Sequence, residues 1–169
     1  AASVSDTSLF SPLFSLSGTN SLLTFKNLYN LQSNGGPTGF DLAYLEVSVN
    51  GQAFQDILTA GGTFVTGGYN ATAATTGGNL FPGRSGWSGS SGGFVATTVN
   101  LSGIGPVGTQ LQFRWRVVTD NSLVSLGQRI DDVFVQNDFG LTKIGLGRLT
   151  LSGNNSYAGN TLVKAGTVT

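Results

Sequence analysis

The sequence predicts an all-β protein in which an antiparallel β-sandwich precedes a short C-terminal β-strand repeat. Apolar residues recur mainly at every second position, which is typical of half-buried strands, and no stretch combines a helical apolar period with helix caps. The connecting segments are rich in glycine, with 26 glycines among the 169 residues. About eight or more short strands joined in this way favour a sandwich, so we expect minimal helix.

The first two strand signals lie at 22–31 and 43–49, and a tight turn is predicted between the second of them and the segment QAFQDIL. Segment 22–31 alternates, and segment 43–49 alternates just before the pair Asn50-Gly51. An Asn-Gly pair between two alternating runs predicts a type I′ turn, because the twist of that turn matches the twist of the strands. The positions expected to face the core are Leu23, Phe25, Tyr29, Leu45, Val47 and Val49, and those expected to face outward are Glu46 and Ser48.

Two more strand signals lie at 110–119 and 129–136. The first alternates between a core face and an outward face. The second is expected to be buried on both sides toward its C-terminal end, with Asp132 pointing inward beside a partner, since an isolated buried charge is costly. In the first strand the core face is formed by Leu111, Phe113, Trp115 and Val117, and the outward face by Gln112, Arg114 and Arg116.

Segment 60–93 interrupts this pattern, because it is dense in Gly, Ser and Thr and contains isolated aromatic residues. Long loops in compact domains are usually functional or disordered. One interpretation is that its aromatic residues fold back and pack against a sheet. The alternative is a ligand-binding platform for carbohydrate that uses Tyr69 and Trp87. The sequence favours the packing interpretation and leaves the second one open.

The composition excludes several classes of function. Charged residues make up 9% of the chain and the formal net charge is +0, which argues against nucleic-acid partners and against electrostatic binding to anionic membranes. The chain has no Cys and no His, so a thiolate nucleophile and a Ser-His-Asp triad cannot be formed. No run of about 18 apolar residues predicts a membrane-spanning helix. We therefore expect a protein that is not an enzyme and does not insert into a membrane.

Two weaker site hypotheses come from charged residues. Asp41 precedes one strand while Asp131 and Asp132 lie in a late one, so the fold could gather them as oxygen ligands for a structural calcium ion. The alternative is that these carboxylates pair with arginines or accept hydrogen bonds from loop amides. Arg114 and Arg116 flank an aromatic residue and could bind sugar or carboxylate, although surface arginines are more often solubilising residues with buried stems.

Seven segments between about residues 10 and 136 follow one another in an order and at a spacing typical of a known family. Together these segments resemble the MAM/CUB-like jelly-roll modules of large secreted and surface-attached bacterial proteins. The resemblance implies a non-catalytic accessory module, and it implies that Asp131 or Asp132 anchors the final strand. One departure is that Asp41-Leu42-Ala43 stands where the family often has Asp-Gly-Gly. The segments are SPLFSLSG, LLTFKNLYNL, FDLAYLEVSVNGQAFQDI, GGTFVTGGYN, GRSGWSGSSGGFVATTVNLS, QLQFRWRVVTDNS and QRIDDVFV.

The C-terminal segment LTLSGNNSYAGNTLVKAGTVT resembles a different family, the autotransporter-associated β-strand repeat of Gram-negative surface proteins. The resemblance covers about 145–169 and implies one rung of a parallel β-helix, with corners at 153–155 and at Gly166. We therefore expect a sandwich at 1–137, a connector at 138–146 and a repeat at 147–169. The residues expected to point inward and to serve assembly are Leu149, Leu151, Val163, Ala165 and Val168.

A single β-helix rung cannot bury its inward face or pair its strand edges. Three outcomes follow: further rungs of a longer protein cover it, it folds back on its own sandwich, or it adds as a strand to a neighbouring subunit. We therefore expect a secreted or surface-displayed structural or adhesion module of a Gram-negative bacterium, whose partners are itself or other β domains. The alternative is a carbohydrate-binding module that uses loop 60–93.

Overall fold

The computed structural model describes residues 3–123, 125–137, 141–153 and 161–169, and within these ranges the chain contains β-strands and no helix. The predicted all-β class is therefore confirmed for the described part. It follows that no helix in these ranges is long and apolar enough to cross a membrane. The strands are β1 Ser5–Phe10, β2 Phe14–Ser15, β3 Leu22–Leu31, β4 Thr38–Gly39, β5 Leu42–Val49, β6 Gln55–Asp56, β7 Thr63–Thr66, β8 Ala71–Ala73, β9 Ser85–Gly86, β10 Gly89–Ser90, β11 Val95–Asn100, β12 Gln110–Thr119, β13 Gly127–Gln136, β14 Leu141–Lys143, β15 Arg148–Leu149, β16 Thr161–Val163 and β17 Thr167–Val168.

Two antiparallel sheets form the sandwich. In the first, the strand order is β1-β12-β5-β6, and β2 continues alongside β12 after β1. In the second, β3 is central, with β13 on one side and β10 and β11 on the other, and β7 follows β11. A small third sheet of β4, β8 and β9 belongs to the loop segments between the longer strands.

The sandwich core consists of the residues that the alternation predicts. Leu23, Phe25 and Tyr29 from β3 pack with Leu45 and Val47 from β5 in one buried cluster. Strand β12 contributes the predicted Leu111, Phe113 and Trp115 to the same cluster, while Val49 and Val117 pack at its margin. Burying an aliphatic or aromatic side chain of this size stabilises the folded state by about 1.5–3 kcal/mol.

The turn after β5 is the predicted one. Asn50 and Gly51 have φ values of 50° and 74°, and the N–H of Gln52 donates to the carbonyl of Val49 at 3.0 Å. Positive φ at both central residues is the property of a type I′ turn. The strand that returns from this turn, β6, is only two residues long.

The loop 60–93 folds back and packs on the sandwich, as the packing interpretation predicts. Trp87 is 1% exposed, and its indole N–H donates to the carbonyls of Gly67 and Gly68 at 2.9 Å each. The ring contacts Phe64 and Tyr69 edge-on, with centroids 5.6 and 4.8 Å away. An aromatic cluster with a satisfied indole is a stable core element.

The expectation that the end of β13 is buried on both sides is wrong. Val133 and Phe134 are 45% and 60% exposed, because β13 is an outer strand of its sheet and pairs only with β3. The pairing register shifts between Asp131 and Phe134, and Asp132 has a φ of 49°. A β-bulge at this point turns the strand and leaves Val133 and Phe134 largely in solvent, while Val135 remains partly buried against the core.

Candidate functional site

The described C-terminal residues form a small coil of parallel strands. Strand β14 pairs in parallel with β16, and β15 pairs in parallel with β17. The chain therefore passes twice through the same arrangement, because each strand of the first pass is stacked on one of the second. Backbone hydrogen bonds extend the stack, including Lys164 N–H to the carbonyl of Lys143 at 2.9 Å and Thr169 N–H to the carbonyl of Leu149 at 3.0 Å.

The corner between the two strands of each pass depends on a lysine and a glycine. The Lys143 ammonium donates to the carbonyls of Ile144, Gly145 and Ala165 at 3.0, 2.6 and 3.3 Å. Gly166 has a φ of +79°, and a Cβ there would collide with the carbonyl oxygen of Gly147. Glycine is thus required at 166 for both its positive φ and the close approach of the first pass.

The residues expected to point inward in the coil are only partly covered. Leu149, Leu151, Ala165 and Val168 are half-buried, and Val163 is 43% exposed. The predicted corner at 153–155 lies outside the described residues, apart from Gly153. Two passes therefore give each apolar side chain one neighbouring layer, which is not enough to bury it.

The coil does not add to the sandwich sheets among the described residues. Its four strands form two separate two-stranded sheets, distinct from the sheets of the sandwich. This excludes, for these residues, a fold-back of the tail as a strand of its own sandwich. Strand β14 lies inside the segment expected to be a connector at 138–146, of which residues 138–140 lie outside the described ranges.

A charged network occupies the outer face of the first sheet. Glu46 accepts hydrogen bonds from Arg84 NH1 and Arg114 Nε at 2.6 Å each, and Arg116 NH1 lies 3.6 Å from it. The Glu46 side chain is only 3% exposed. Glu46 lies on the face of β5 that points away from the core, as predicted. It does not face solvent, however, because three guanidinium groups cover its carboxylate.

The network continues through Asp56 and into the core. Arg84 NH2 donates to Asp56 Oδ2 at 3.0 Å, and the Tyr69 hydroxyl lies 3.0 Å from the same oxygen. Burial lowers the pKa of the Arg84 guanidinium, but its hydrogen bonds to Glu46 and Asp56 outweigh burial and raise it. Burial raises the pKa of the Tyr69 hydroxyl well above its ordinary value. Arg84 therefore fixes the loop 60–93 to strands β5 and β6 as a permanent cation.

Aromatic rings and the arginines frame a cleft beside this network. The Arg114 guanidinium lies 4.4 Å from the ring centroid of Phe54, and that of Arg116 lies 4.4 Å from the centroid of Phe81. Arg84 covers Tyr44 at 4.0 Å, and burial raises the pKa of Tyr44 to about 12 against the lowering effect of Arg84 and Arg116. We name this 570 Å³ cavity the arginine cleft; it is lined by Glu46, Phe54, Gln55, Asp56, Leu58, Thr59, Phe81, Arg84, Ser85 and Arg116.

Asp41 acts as a clamp between loops. Its side chain is buried, and its carboxylate accepts the N–H of Asp120 at 3.0 Å and the N–H of Gln32 at 3.3 Å. Burial raises the pKa of Asp41, and the neighbouring Asp120 charge acts in the same direction against the two hydrogen bonds. This arrangement matches the alternative in which the carboxylate accepts hydrogen bonds from loop amides.

The other two candidate calcium ligands lie in the bulge of β13. Asp132 pairs with Lys26 at 2.7 Å, with the two side chains 62% and 53% exposed, and Asp131 accepts the N–H of Asp132 at 2.8 Å. Asp132 therefore points to solvent and not inward as expected. Within the described ranges, no group of three or more acidic side chains forms a candidate metal site, so Asp41, Asp131 and Asp132 are not gathered into one.

Of the predicted binding residues, Arg116 lines the cleft, Arg114 packs against the cleft residue Phe54, and Trp87 and Tyr69 lie in the core. Trp87 presents no ring face to a ligand because it is almost fully buried. The sequence pattern missed Glu46 and Arg84 as a pair. Their only sequence signal is that Arg84 is the one charged residue within the glycine-rich segment 60–93.

Comparison with known protein families identifies the C-terminal coil. Residues 141–169 match the family model of the passenger-associated-transport-repeat. The match covers the coil and begins at the first residue of β14, before the start predicted for the repeat. No curated protein matches the chain.

The match supports the resemblance to autotransporter repeats. A repeat of this family is associated with the transport of passenger domains, and it indicates a secreted or surface-displayed protein. The two-pass parallel coil is the structural counterpart of that repeat.

Proposed function

We propose that this chain is a non-catalytic structural or adhesion module of the Gram-negative cell surface, which joins neighbouring coils through the strand edges of residues 141–169. The repeat match and the parallel stacking of the two passes together support the proposal. The sandwich in front of the coil, with its resemblance to MAM/CUB-like jelly-roll modules, would be the displayed domain.

The exposure of the coil is the observation on which the proposal depends. Leu162 and Val163 of the second pass are 49% and 43% exposed, and each coil sheet has only two strands. A repeat unit that cannot bury its own apolar face gains stability from each neighbour that stacks on it. A third pass of the same type, from the same polypeptide or from a partner, would cover these side chains and pair the outer edges of β16 and β17.

The test is to append a second copy of residues 141–169 after Thr169 and to measure amide hydrogen exchange at Val163, Thr167 and Val168. We expect exchange to slow by at least about tenfold, which corresponds to about 1.4 kcal/mol of added local stability. The matched control appends the same 29 residues in scrambled order. Equal exchange rates in the two proteins would refute the proposed stacking.

The arginine cleft supports carbohydrate binding as a second candidate function. Its volume of about 570 Å³ lies within the range of ligand pockets, and it combines guanidinium donors with the half-buried rings of Phe54 and Phe81. These residues, and not Trp87, would contact a sugar.

A glycan array with the intact chain tests this second candidate. If the cleft binds a glycan, Phe54→Ala should abolish the signal, because it removes a ring from the cleft wall without touching the buried cluster. Val65→Ala, at a 60% exposed position on β7, is the control and should leave binding unchanged. An array without signal, or a signal that survives Phe54→Ala, would eliminate the cleft as a sugar site.

A further inference from the structure

One long side of the sandwich is open between its two sheets. Strand β1 is the outer strand of the first sheet and β13 the outer strand of the second. Two cavities of about 230 and 270 Å³ lie between them. We call this gap the β1–β13 groove; it is lined by Thr7, Ser8, Leu9, Trp115, Val117, Gln128 and Ile130 in one cavity and by Ser11, Pro12, Phe14, Ser15, Phe113, Val133, Val135 and Asn137 in the other.

No charged side chain of the described ranges lines the groove. Its rim exposes apolar side chains to water, and one buried hydrogen-bond donor in its wall has no acceptor in the part of the chain that the structure describes. Leu9 and Val133 are 53% and 45% exposed at its rim. Trp115 lines the first cavity, and its buried indole N–H has no hydrogen-bond acceptor among the described residues. A buried donor without an acceptor costs about 1–3 kcal/mol, so an occupant that supplies an oxygen and apolar contacts would be stabilising.

The outer strands other than β1 are protected against pairing with another chain. Strands β2, β6 and β10 have only two residues each, and β7 has four and pairs across an irregular register. Strand β13 carries charged side chains at Arg129, Asp131 and Asp132 and is bent by its bulge. Short length, charge and bulges are the means by which natural sheets block their edges.

Strand β1 has none of these protections. It runs for six residues, Ser5–Phe10, in unbroken antiparallel register with β12, and it contains no Lys, Arg or Pro. Its single charge, on Asp6, is held in a two-point interaction with Arg116 at 2.8 and 2.6 Å. In the part of the chain that the structure describes, no strand pairs with the outer side of β1, so this edge is regular and carries no unpaired charge.

The hydrogen-bonding groups at this edge follow from the ladder. The N–H groups of Ser5 and Ser11 point to β12, since they donate to Thr119 Oγ1 and to the carbonyl of Phe113 at 3.0 Å each. Alternate residues of an antiparallel strand point in opposite directions within the sheet. The backbone groups of Asp6, Ser8 and Phe10 consequently face away from β12, toward the free edge.

We propose that a second copy of this chain docks on β1 by antiparallel pairing of the two β1 strands. A two-fold arrangement needs only one self-complementary edge, and β1 is the unprotected edge of the sandwich. Because neither β1 nor the groove carries an unpaired charge, two copies meet no like-charge repulsion. Pairing would satisfy the outward groups of Asp6 and Ser8 and remove Leu9 from water. This contact is independent of the coil.

Sedimentation velocity of the intact 169-residue chain tests the proposal. We expect a concentration-dependent dimer that Ser8→Pro weakens by at least about tenfold in Kd, because proline removes an outward N–H and leaves the inward bonds to β12 unaffected. The control, Ser8→Ala, should dimerise like the unmodified chain. A second variant, Leu9→Lys, keeps the test decisive if the proline variant folds poorly. It places a charge at an exposed position on the rim of the groove and should also weaken the dimer.

A coil variant separates this contact from the proposed stacking of residues 141–169. Gly166→Val disrupts the coil corner and should leave the β1 dimer intact. The β1 contact would be overturned if Gly166→Val no longer dimerised while Ser8→Pro and Leu9→Lys still did. Association would then be assigned to the coil. A monomer at every concentration would overturn it as well.

Discussion

The sandwich encloses a core of fully buried apolar side chains, whereas the described residues of the coil at 141–169 leave their apolar side chains at least partly in water. Phe113 and Trp87 of the sandwich are 0% and 1% exposed, while Ile144 and Leu146 of the coil are 70% and 91% exposed. Both regions are built from β-strands, but only the first has two facing sheets that enclose a core. The sandwich therefore has a core of its own, and the described residues of the coil have none of comparable burial.

This difference follows from strand direction. Antiparallel strands from distant parts of the chain, such as β5 and β12, pair in the sandwich so that the apolar faces of the two sheets meet in a shared core. Parallel strands of the coil are joined through corners, and each new layer is added by a further pass of chain. Stability in such stacks is approximately a sum over units and interfaces, so a coil of two passes has only one interface.

The largest expected effect is in the sandwich core. Trp87→Ala should lower the free energy of unfolding by about 3–5 kcal/mol, because the ring packs against three other aromatic side chains, of Phe25, Phe64 and Tyr69. Urea denaturation followed by circular dichroism measures it. Val65→Ala, at an exposed position, should cost less than about 0.5 kcal/mol, and a similar loss in both variants would show that Trp87 is not a core residue.

Removing the central carboxylate of the arginine network should have the next largest effect. Glu46→Gln should cost about 3 kcal/mol, because it leaves the guanidinium groups of Arg84 and Arg114 without their shared buried anion. The same denaturation experiment applies. Asp132→Asn, which breaks an exposed ion pair with Lys26, is the control and should cost under about 1 kcal/mol.

The coil variant gives the sharpest test of the comparison. Gly166→Val should abolish hydrogen-exchange protection at Thr167 and Thr169, whose N–H groups donate to the first pass, while it changes the unfolding free energy of the sandwich by less than about 1 kcal/mol. The local loss follows from the collision of its Cβ with the first pass. If the sandwich melted with the coil, the two regions would form one cooperative unit and the comparison would fail.

The smallest expected effect is pH-dependent and lies on β1. The hydrogen bond from Arg116 lowers the pKa of Asp6 below its ordinary value of 3.8, against the opposing effect of burial. This contribution to stability is therefore present above pH 3.8 and is lost as the pH falls through the lower, folded-state value. At neutral pH, Asp6→Asn should cost under about 1 kcal/mol because the pair is partly exposed.

The free energy of unfolding of the unmodified chain and of Asp6→Asn, measured at neutral pH and at a series of pH values below 3.8, checks this assignment. The difference between the two proteins should shrink as the pH falls below 3.8, because the carboxyl group is protonated in the unfolded chain before it is protonated in the folded one. A difference that stayed constant over this range would mean that Asp6 acts through packing and not through its charge.

The sequence predicts those parts of the fold that local periodicity determines. Alternation identified the core faces of β3, β5 and β12, and the Asn50-Gly51 pair identified its turn, because each is decided within a few residues. Alternation assigns a residue to a face but does not say what covers that face. Glu46 was for this reason expected in solvent, since its partner Arg84 lies 38 positions later in a loop.

Two other features were missed for similar physical reasons. The bulge at Asp132 shifts the register of β13 and exposes residues that would otherwise alternate into the core. In the coil, the motif predicted one rung, but β14 is only three residues long and too short to show alternation. Its pairing with β16 depends on a contact between distant residues and not on local pattern.

The anchoring of Glu46 by three arginines has a consequence for heating. The hydration of charged groups becomes less favourable as temperature rises, so the penalty for keeping them out of water falls. The outer face of β5 and β12, where loop 60–93 is fastened by Arg84, should accordingly hold its geometry close to the melting transition. A displayed domain with such an ion-pair network would keep its glycine-rich loop in place as the temperature rises.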